Sequence, residues 1–176
     1  MEHVHYMCTI SGKLVDPFDL KAKDVDIIDI AHSLSHLCRF AGHIKEFYSV
    51  AQHSVRVANA CPVEHRLEAL LHDATEAYLV DLPRPIKVRL KNYQETEERA
   101  WTVIAKRFDL MQKIPDCIKQ ADYAALSTES GELMNRPLDC YIALKAKNKL
   151  LPPERPMNPL EARLRFLEYY KMYRRN

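Results

Sequence analysis

Four ionisable side chains lie within ten positions of one apolar, helix-forming stretch, "LLHDATEAYLVDLPRP" at residues 70–85. They are His72, Asp73, Glu76 and Asp81. Burying an ionised group without a partner is costly, so these side chains are either solvated or organised around a positive charge. In a helix His72 and Glu76 share a face because four positions separate them, and Asp73 lies about 100° around the axis. The stretch therefore indicates either a solvated polar face or a cation site.

Two further side chains can complete a metal site. His53 lies early in the preceding predicted helix, which a short connector around Pro62 returns antiparallel, so His53 can approach His72. Asp122 in "KQADYAAL" lies on an otherwise small and apolar helix surface, where an acidic group needs a partner. Imidazoles and carboxylates are common ligands of divalent metals. The pattern predicts a metal site, while the competing interpretation of His72-Asp73 alone is a capped or solvent-facing polar pair.

The elements that position these residues are predicted to be helices. Ser49 and Gln52 have the spacing of a capping box, so a helix should begin at Ser49 and end before Pro62. A second helix should run through residues 63–80, with an apolar stripe of five residues, and "DLPRP" should end it because proline lacks an N–H donor. The stripe consists of Leu67, Leu70, Leu71, Ala74 and Tyr78.

The rest of the chain predicts an all-α fold with a short N-terminal β-hairpin. The hairpin is "YMCTISGKLVDPF", two extended pieces hinged at Ser11-Gly12. Four further segments read as helices, and the Pro-rich "LLPPERPMNP" reads as a surface connector. The helical segments are "VDIIDIAHSLSHLCRF", "QETEERAWTVIAKRFDL", "PDCIKQADYAALSTESGELM" opened by Pro115, and "LEARLRFLEYYKMY". Neither a repeat nor a second-domain boundary is evident, so we expect one domain over residues 1–176.

Composition favours a cytoplasmic protein that does not bind a polymeric nucleic acid. The 176 residues are 47% hydrophobic and 28% charged, with a formal net charge of only +2. That charge argues against a partner that is a polymeric nucleic acid. No apolar run approaches membrane-spanning length, so no membrane anchor is expected. The odd, scattered set of cysteines indicates reduced thiols in a cytosol. The five are Cys8, Cys38, Cys61, Cys117 and Cys140.

The ordered residues His53, His72-Asp73 and Asp122 resemble the "H…HD…D" signature of the HD-domain metal-dependent phosphohydrolases. "RF" at Arg39-Phe40, "YSVAQHS" at 48–54, "HDATEAY" at 72–78 and "DLPRPIK" at 81–87 are similar to the deoxynucleotide-directed branch. The similarity covers roughly residues 27–125. It implies an HD-domain helical bundle for the fold. It also implies a homo-oligomer, dimer or hexamer, in a bacterial cytosol or a phage-infected host.

The resemblance also implies a role for each matching residue. His53, His72, Asp73 and Asp122 would hold a divalent metal, which could be Co²⁺, Zn²⁺, Mn²⁺ or Mg²⁺. Glu76, with Asp73, would be catalytic, acting as base or positioner of the attacking water. Five residues would bind the substrate. Arg39 would bind the phosphate, Phe40 would contact the sugar face, where relatives commonly have Trp, and Asp81 would accept from the 3′-hydroxyl. Pro85 would line the base pocket and Lys87 would hold the phosphate chain. The alternative for "DLPRPIK" is a helix stop followed by a surface turn.

Three functions remain open at this point. The resemblance implies a phosphohydrolase of 2′-deoxynucleotides, and Arg84 with Lys87 favours a dATP triphosphohydrolase that releases deoxyadenosine and triphosphate. The alternative within the same chemistry is a 5′-nucleotidase of deoxyribonucleoside monophosphates. A different class is a non-catalytic HD module that senses a nucleotide.

Overall fold

A two-stranded hairpin and a series of helices make up the parts of the chain that the computed structural model describes, residues 5–136 and 151–174. Strand β1 (Met7–Cys8) pairs antiparallel with β2 (Leu14–Val15), with Met7 opposite Val15. Gly12 closes the turn at φ +83°, a conformation that glycine adopts without a steric penalty. The predicted all-α fold with a short N-terminal hairpin is confirmed.

The helices follow the hairpin in chain order. They are α1 (Ile27–His36), α2 (Val50–Ala60), α3 (Arg66–Leu71), α4 (Glu76–Leu79), α5 (Arg84–Lys87), α6 (Lys91–Phe108), α7 (Asp116–Leu133) and α8 (Pro159–Tyr173). Short 3₁₀ turns lie at Arg39–Gly42 and Val63–His65. In the described ranges no helix has the length and apolar character needed to cross a lipid bilayer.

Helix α2 lies at the centre of the packing. It contacts α1, α3, α7 and α8, and every residue from 50 to 58 is buried. An apolar helix would suit this position, yet α2 carries Gln52, His53 and Arg56 among its buried residues. Buried polar groups need partners. The polar groups of α2 therefore determine which other segments can pack against it.

The predicted start of α2 is correct, but only half of the predicted capping box forms. Ser49 is the N-cap, and its side chain accepts a hydrogen bond from the Gln52 N–H at 3.1 Å. The Gln52 amide instead donates to the Arg155 carbonyl and accepts from the Met157 N–H, both at 2.8 Å. The Pro-rich segment 151–158 is thus tied to the core through Gln52, and Met157 in it is buried. The segment is a connector that lies mostly at the surface, as predicted, but the sequence did not predict its contacts with Gln52 or the burial of Met157.

The predicted continuous helix over residues 63–80 is wrong. Helix α3 ends at Leu71, and residues 72–75 form consecutive turns before α4 begins at Glu76. Here the Ala74 N–H donates to the Leu71 carbonyl, and the Glu76 N–H donates to the Asp73 carbonyl. Such i to i−3 bonds tighten the chain to about three residues per turn. Asp73 and Glu76 therefore lie one above the other more closely than His72 and Glu76.

The described cysteines Cys8, Cys38, Cys61 and Cys117 are free thiols. The fifth, Cys140, lies outside the described residues.

Candidate metal centre

His53, His72 and Asp122 come together from three different elements. His53 lies in α2, His72 directly follows α3, and Asp122 lies in α7. One ligand atom from each lies within 4.8 Å of the others, an arrangement that could hold a metal ion. His53 Nε2 is 3.1 Å from Asp122 Oδ1, and the two imidazole centroids are 5.4 Å apart. Residues 53 and 122 are far apart in the sequence, so only the packing of α2 on α7 brings them together.

The hydrogen bonds of the two histidines leave both Nε2 atoms available to a ligand. His72 Nδ1 is 2.7 Å from the Ala69 carbonyl, which can only accept, so Nδ1 carries the proton. His53 Nδ1 is 2.9 and 3.1 Å from the two carboxylate oxygens of Glu129. Both Nε2 atoms are buried without a hydrogen-bond partner among the described residues. Metal-binding histidines typically donate their other N–H in this way, so the donor set fits a divalent ion.

Asp73 lies beside this group as the predicted fourth ligand. Its Oδ2 is 3.2 Å from His72 Nε2 and 3.6 Å from His53 Nε2. The same oxygen lies 4.0 Å from Arg39 Nη1. Asp73 is close to both imidazoles but is not part of the group whose ligand atoms all lie within 4.8 Å of one another, which is His53, His72 and Asp122. Two imidazoles and a carboxylate suit a borderline ion such as Zn²⁺ or Co²⁺ better than Mg²⁺.

Glu129 is a part of the site that the sequence did not predict. Its side chain is completely buried, and Oε2 lies 3.0 Å from Arg39 Nε. Burial raises the pKa of Glu129, but the positive charges of His53 and Arg39 outweigh burial and lower it to about 2. Glu129 follows Asp122 by seven positions, two turns of one helix, and therefore lies on the same face. That spacing was the signal that could have found it.

The electrostatics of His53 reflect the carboxylates gathered around it. Burial and the nearby Arg39 lower its pKa, but Glu129 and Asp122 outweigh them and raise it to about 9. Burial raises the pKa of Asp122, whereas the contact with His53 brings it well below the ordinary value of 3.8. The imidazole thus faces an excess of negative charge.

Glu76 and Asp81 add two carboxyl groups near the same point. Glu76 is buried and its Oε2 has no hydrogen-bond partner among the described residues. Burial, with the negative charges of Asp73 and Asp81, raises the pKa of Glu76 well above 4.5. Burial also raises the pKa of Asp81, which Arg39 partly offsets. A carboxyl group with a raised pKa can both accept and donate a proton closer to neutral pH.

Arg39 and Phe40 lie on the strained turn that leads into the site. Arg39 is buried, and its guanidinium carbon lies 5.3 Å from the centroid of the partly buried Phe40 ring. Phe40 and Ala41 both have positive φ, 56° and 52°. The Arg39 N–H donates to the Tyr48 carbonyl at 2.9 Å, which fixes the turn against the start of α2. This hydrogen bond fixes the backbone of Arg39, whose guanidinium group contacts Glu129 and Asp73.

Residues 84–87 of the segment 81–87 form the short helix α5, and residues 81–83 before it have no regular secondary structure. Pro85 is exposed on α5, and Lys87 is partly buried. Lys87 Nζ is 2.5 Å from Glu97 Oε1 and lies 5.8 Å from the Tyr93 ring centroid. The Lys87 ammonium group is therefore already engaged by a carboxylate of α6.

The fold and the site define a class, a mostly helical protein with a histidine–aspartate group that could hold a metal ion. No protein-family model matches the chain. It is 44% identical over 128 residues to uncharacterized protein YfdR of Escherichia coli strain K12, covering 73% of this chain and 72% of YfdR. It is also 39% identical over 126 residues to an uncharacterized protein of Rhodobacter capsulatus, covering 66% of this chain and 64% of that protein. The chain belongs to the same family as YfdR.

Proposed function

We propose that the protein is an HD-type, metal-dependent phosphohydrolase that acts on 2′-deoxynucleotides. One observation carries the proposal: two buried, unpartnered Nε2 atoms converge with the Asp122 and Asp73 carboxylates from three separate elements. The order of His53, His72-Asp73 and Asp122 along the chain also supports it, because it resembles the signature of that class.

Each residue around the metal group has a role in this reaction. His53, His72, Asp73 and Asp122 would hold a divalent ion, which when bound supplies Lewis acidity toward a phosphoryl oxygen and toward water. Glu76 accepts the proton of the attacking water, and its raised pKa suits that task. Asp73, next to Glu76 on the tight turn, acts with it. Arg39 contributes a permanent positive charge toward the phosphate.

Substrate recognition is assigned to the turn at Arg39–Gly42 and to segment 81–87. Phe40 would pack against the sugar, where a 2′-hydroxyl would not fit, and Asp81 would accept a hydrogen bond from the 3′-hydroxyl. Pro85 would line the base pocket. Its exposure on α5 is compatible with a surface that a bound base covers.

The proposed reaction is the conversion of dATP to deoxyadenosine and triphosphate. The positions of Arg84 and Lys87 on one turn next to Asp81 support it, since two additional phosphates require additional cations. A specific observation favours a second candidate, the 5′-nucleotidase reaction on deoxyribonucleoside monophosphates. Lys87 is paired with Glu97 and Arg39 with Glu129, which leaves less positive charge for a longer phosphate chain.

The direct test is a product assay with purified protein. The protein is incubated with Co²⁺, Mn²⁺, Zn²⁺ or Mg²⁺ and with dATP or dAMP, and ATP and AMP serve as 2′-hydroxyl controls. Triphosphate from dATP supports the first reaction, and orthophosphate from dAMP supports the second. Absence of hydrolysis of every deoxynucleotide with every metal would contradict the proposal.

Matched aspartates on one helix test the site itself. Asp122→Ala should abolish turnover and so should Asp73→Ala, whereas Asp116→Ala should leave turnover unchanged because that side chain is 89% exposed at the start of α7. Full activity of the Asp122 or Asp73 variant would show that the metal assignment is wrong. Nucleotide binding without turnover in the wild type would instead identify the non-catalytic sensing module.

The resemblance further supports a homo-oligomer, dimer or hexamer, in the cytoplasm. Both stay predictions, which a sedimentation measurement and a localisation experiment can check.

A further inference from the structure

Four side chains form a closed ring of contacts behind the metal group. Glu129 contacts His53 Nδ1 at 2.9 Å, and His53 Nε2 lies 3.6 Å from Asp73 Oδ2. Asp73 Oδ2 lies 4.0 Å from Arg39 Nη1, and Arg39 Nε lies 3.0 Å from Glu129 Oε2. A metal-binding imidazole and the phosphate-binding arginine therefore share one buried carboxylate.

We propose that Glu129 is a positioning residue that holds His53 and Arg39 in one arrangement, so that metal binding and phosphate binding both depend on it. The inference rests on the proposed function for the role of Arg39, whereas the part that concerns His53 rests on the metal group alone. Glu129 does not touch the ion or the substrate. It acts through the two residues that do.

The hydrogen-bonding capacity of a carboxylate explains why glutamate is required. His53 Nδ1 is hydrogen-bonded to Glu129, and the Arg39 guanidinium forms an ion pair with it, Nε lying 3.0 Å from Oε2. A carboxylate can serve both neighbours because it carries a negative charge and only acceptors. While His53 Nδ1 donates to Glu129, its Nε2 keeps a lone pair that faces Asp122 and Asp73. The same contact fixes the ring orientation, as outer carboxylates commonly do for metal-binding histidines.

A glutamine at this position cannot serve both partners. Its amide has one acceptor oxygen, and its NH₂ group would face either the Arg39 donor or the His53 donor. If the NH₂ group faces His53, the imidazole changes tautomer and Nε2 becomes protonated, which removes the metal-binding lone pair. If it faces Arg39, the amide oxygen can still accept from His53. In both orientations the neutral amide leaves the Arg39 guanidinium without its buried counter-charge.

Helix α7 also provides a matched control, because Glu132 forms a similar ion pair that does not touch the metal group. Its carboxylate binds Arg56 through two contacts, Nη1 at 2.9 Å and Nη2 at 3.1 Å, and Arg56 is almost completely buried. Glu132→Gln therefore removes a charge from the same helix and from a similar ion pair. If Glu129 only stabilised the fold, the two variants would behave alike.

The experiment compares wild type, Glu129→Gln and Glu132→Gln in metal and anion binding. Co²⁺ affinity is measured by competition with a coloured chelator, the visible Co²⁺ spectrum reports the ligand geometry, and calorimetry measures inorganic phosphate binding to the Co²⁺-loaded protein. We expect Glu129→Gln to weaken Co²⁺ binding roughly 10- to 100-fold, the range seen for such outer residues. We also expect it to change the spectrum and weaken phosphate binding, while Glu132→Gln resembles the wild type in all three.

The outcomes separate this inference from the proposed function. A folded Glu129→Gln protein with wild-type Co²⁺ affinity and spectrum would overturn the inference, even if the wild type hydrolyses deoxynucleotides. A wild type that binds Co²⁺ but hydrolyses no deoxynucleotide would contradict the function and leave the role of Glu129 toward His53 testable by the same affinities. A wild type that binds no divalent ion would overturn both.

A second measurement needs no variant and so does not depend on whether Glu129→Gln folds. Long-range ¹H–¹⁵N NMR of the Zn²⁺-loaded wild type identifies which nitrogen of His53 carries a proton. We expect the proton on Nδ1, protected from solvent exchange by the buried Glu129. A proton on Nε2, or a rapidly exchanging Nδ1 proton, would overturn the inference.

Discussion

Val80 has a backbone conformation that a β-branched residue rarely adopts, and its substitution gives the sharpest test of the local geometry. Its φ and ψ are 63° and 158°, in a region occupied almost only by glycine. The Val80 N–H donates to the Glu76 carbonyl, and the Tyr93 hydroxyl donates to the carbonyls of Leu79 and Val80. The turn that carries the chain from Glu76 to Asp81 is thus held in a strained form by its neighbours.

The comparison of Val80→Gly with Val80→Ala isolates the backbone contribution, since both variants remove the outer part of the same half-exposed side chain. At an unstrained position alanine is more stabilising than glycine by about 0.4–1 kcal/mol, because glycine has more conformational entropy in the unfolded chain. At Val80 glycine also relieves strain of about 1–3 kcal/mol, which alanine retains. The difference leaves glycine more stable than alanine by up to about 2.6 kcal/mol, and by about 1.3 kcal/mol at the midpoints of the two ranges, so the usual order should be reversed.

The measurement is urea unfolding, followed by helical circular dichroism and by the fluorescence of Trp101. Thr102 provides the control because it is exposed within α6. At that position the free energy of unfolding of the alanine variant should be about 1 kcal/mol higher than that of the glycine variant, as in any helix interior. If Val80→Ala were more stable than Val80→Gly by the ordinary amount, Val80 would not be strained and the geometry of the turn would be wrong.

Three further predictions concern other parts of the chain. Asp109 follows the last residue of α6 and has the left-handed conformation, with φ 56°, and its negative charge lies at the negative end of the helix dipole. Glycine would remove both the backbone strain and the unfavourable charge, so Asp109→Gly should raise the free energy of unfolding, measured in urea, by about 1 kcal/mol. Asp26 is the N-cap of α1, and the hydrogen bond from the Ile28 N–H lowers the pKa of its carboxyl group below 3.8. The stabilisation of the fold by the charged carboxylate is therefore present above pH 3.8 and is lost as the pH falls through the lowered pKa. Asp26→Ala should therefore cost about 1 kcal/mol at pH 7 and less in acid, which unfolding across pH values checks. Co²⁺ at a hundred times its dissociation constant should stabilise the wild type by about 2.7 kcal/mol in thermal unfolding, with a much smaller effect in Asp122→Ala.

The local part of the fold could be predicted from the sequence because short-range rules govern it. The Ser49 cap sets the start of α2, and Ser11-Gly12 marks the hairpin turn. The convergence of His53 and Asp122 was predictable for a similar reason, since an imidazole and a carboxylate on apolar helix faces need partners. These features depend on spacing within one element or on the cost of a buried charge.

The parts that were missed depend on partners distant in the sequence. Glu129 lies 76 positions from His53, and Gln52 contacts a segment more than a hundred positions away. Nothing near Gln52 distinguishes an amide that completes a capping box from one that binds a distant backbone. The tight turn after Leu71 was missed for another reason, because neither proline nor glycine interrupts residues 72–75 and only the i to i−3 bonds distinguish the turn from a helix.

The charges of the site explain why these distant partners converge. Arg39 balances Glu129, and Asp73 and Asp122 then face two imidazoles that are neutral in their ordinary state. Glu129 and Asp122 together raise the pKa of His53 to about 9, against the effects of burial and of Arg39, so the charges around this imidazole favour a cation. A proton there supplies one positive charge and occupies the lone pair of a single imidazole. A divalent ion would supply two charges and use the Nε2 lone pairs of both His53 and His72, so the negative charge and the two unpartnered nitrogens both favour such a ligand.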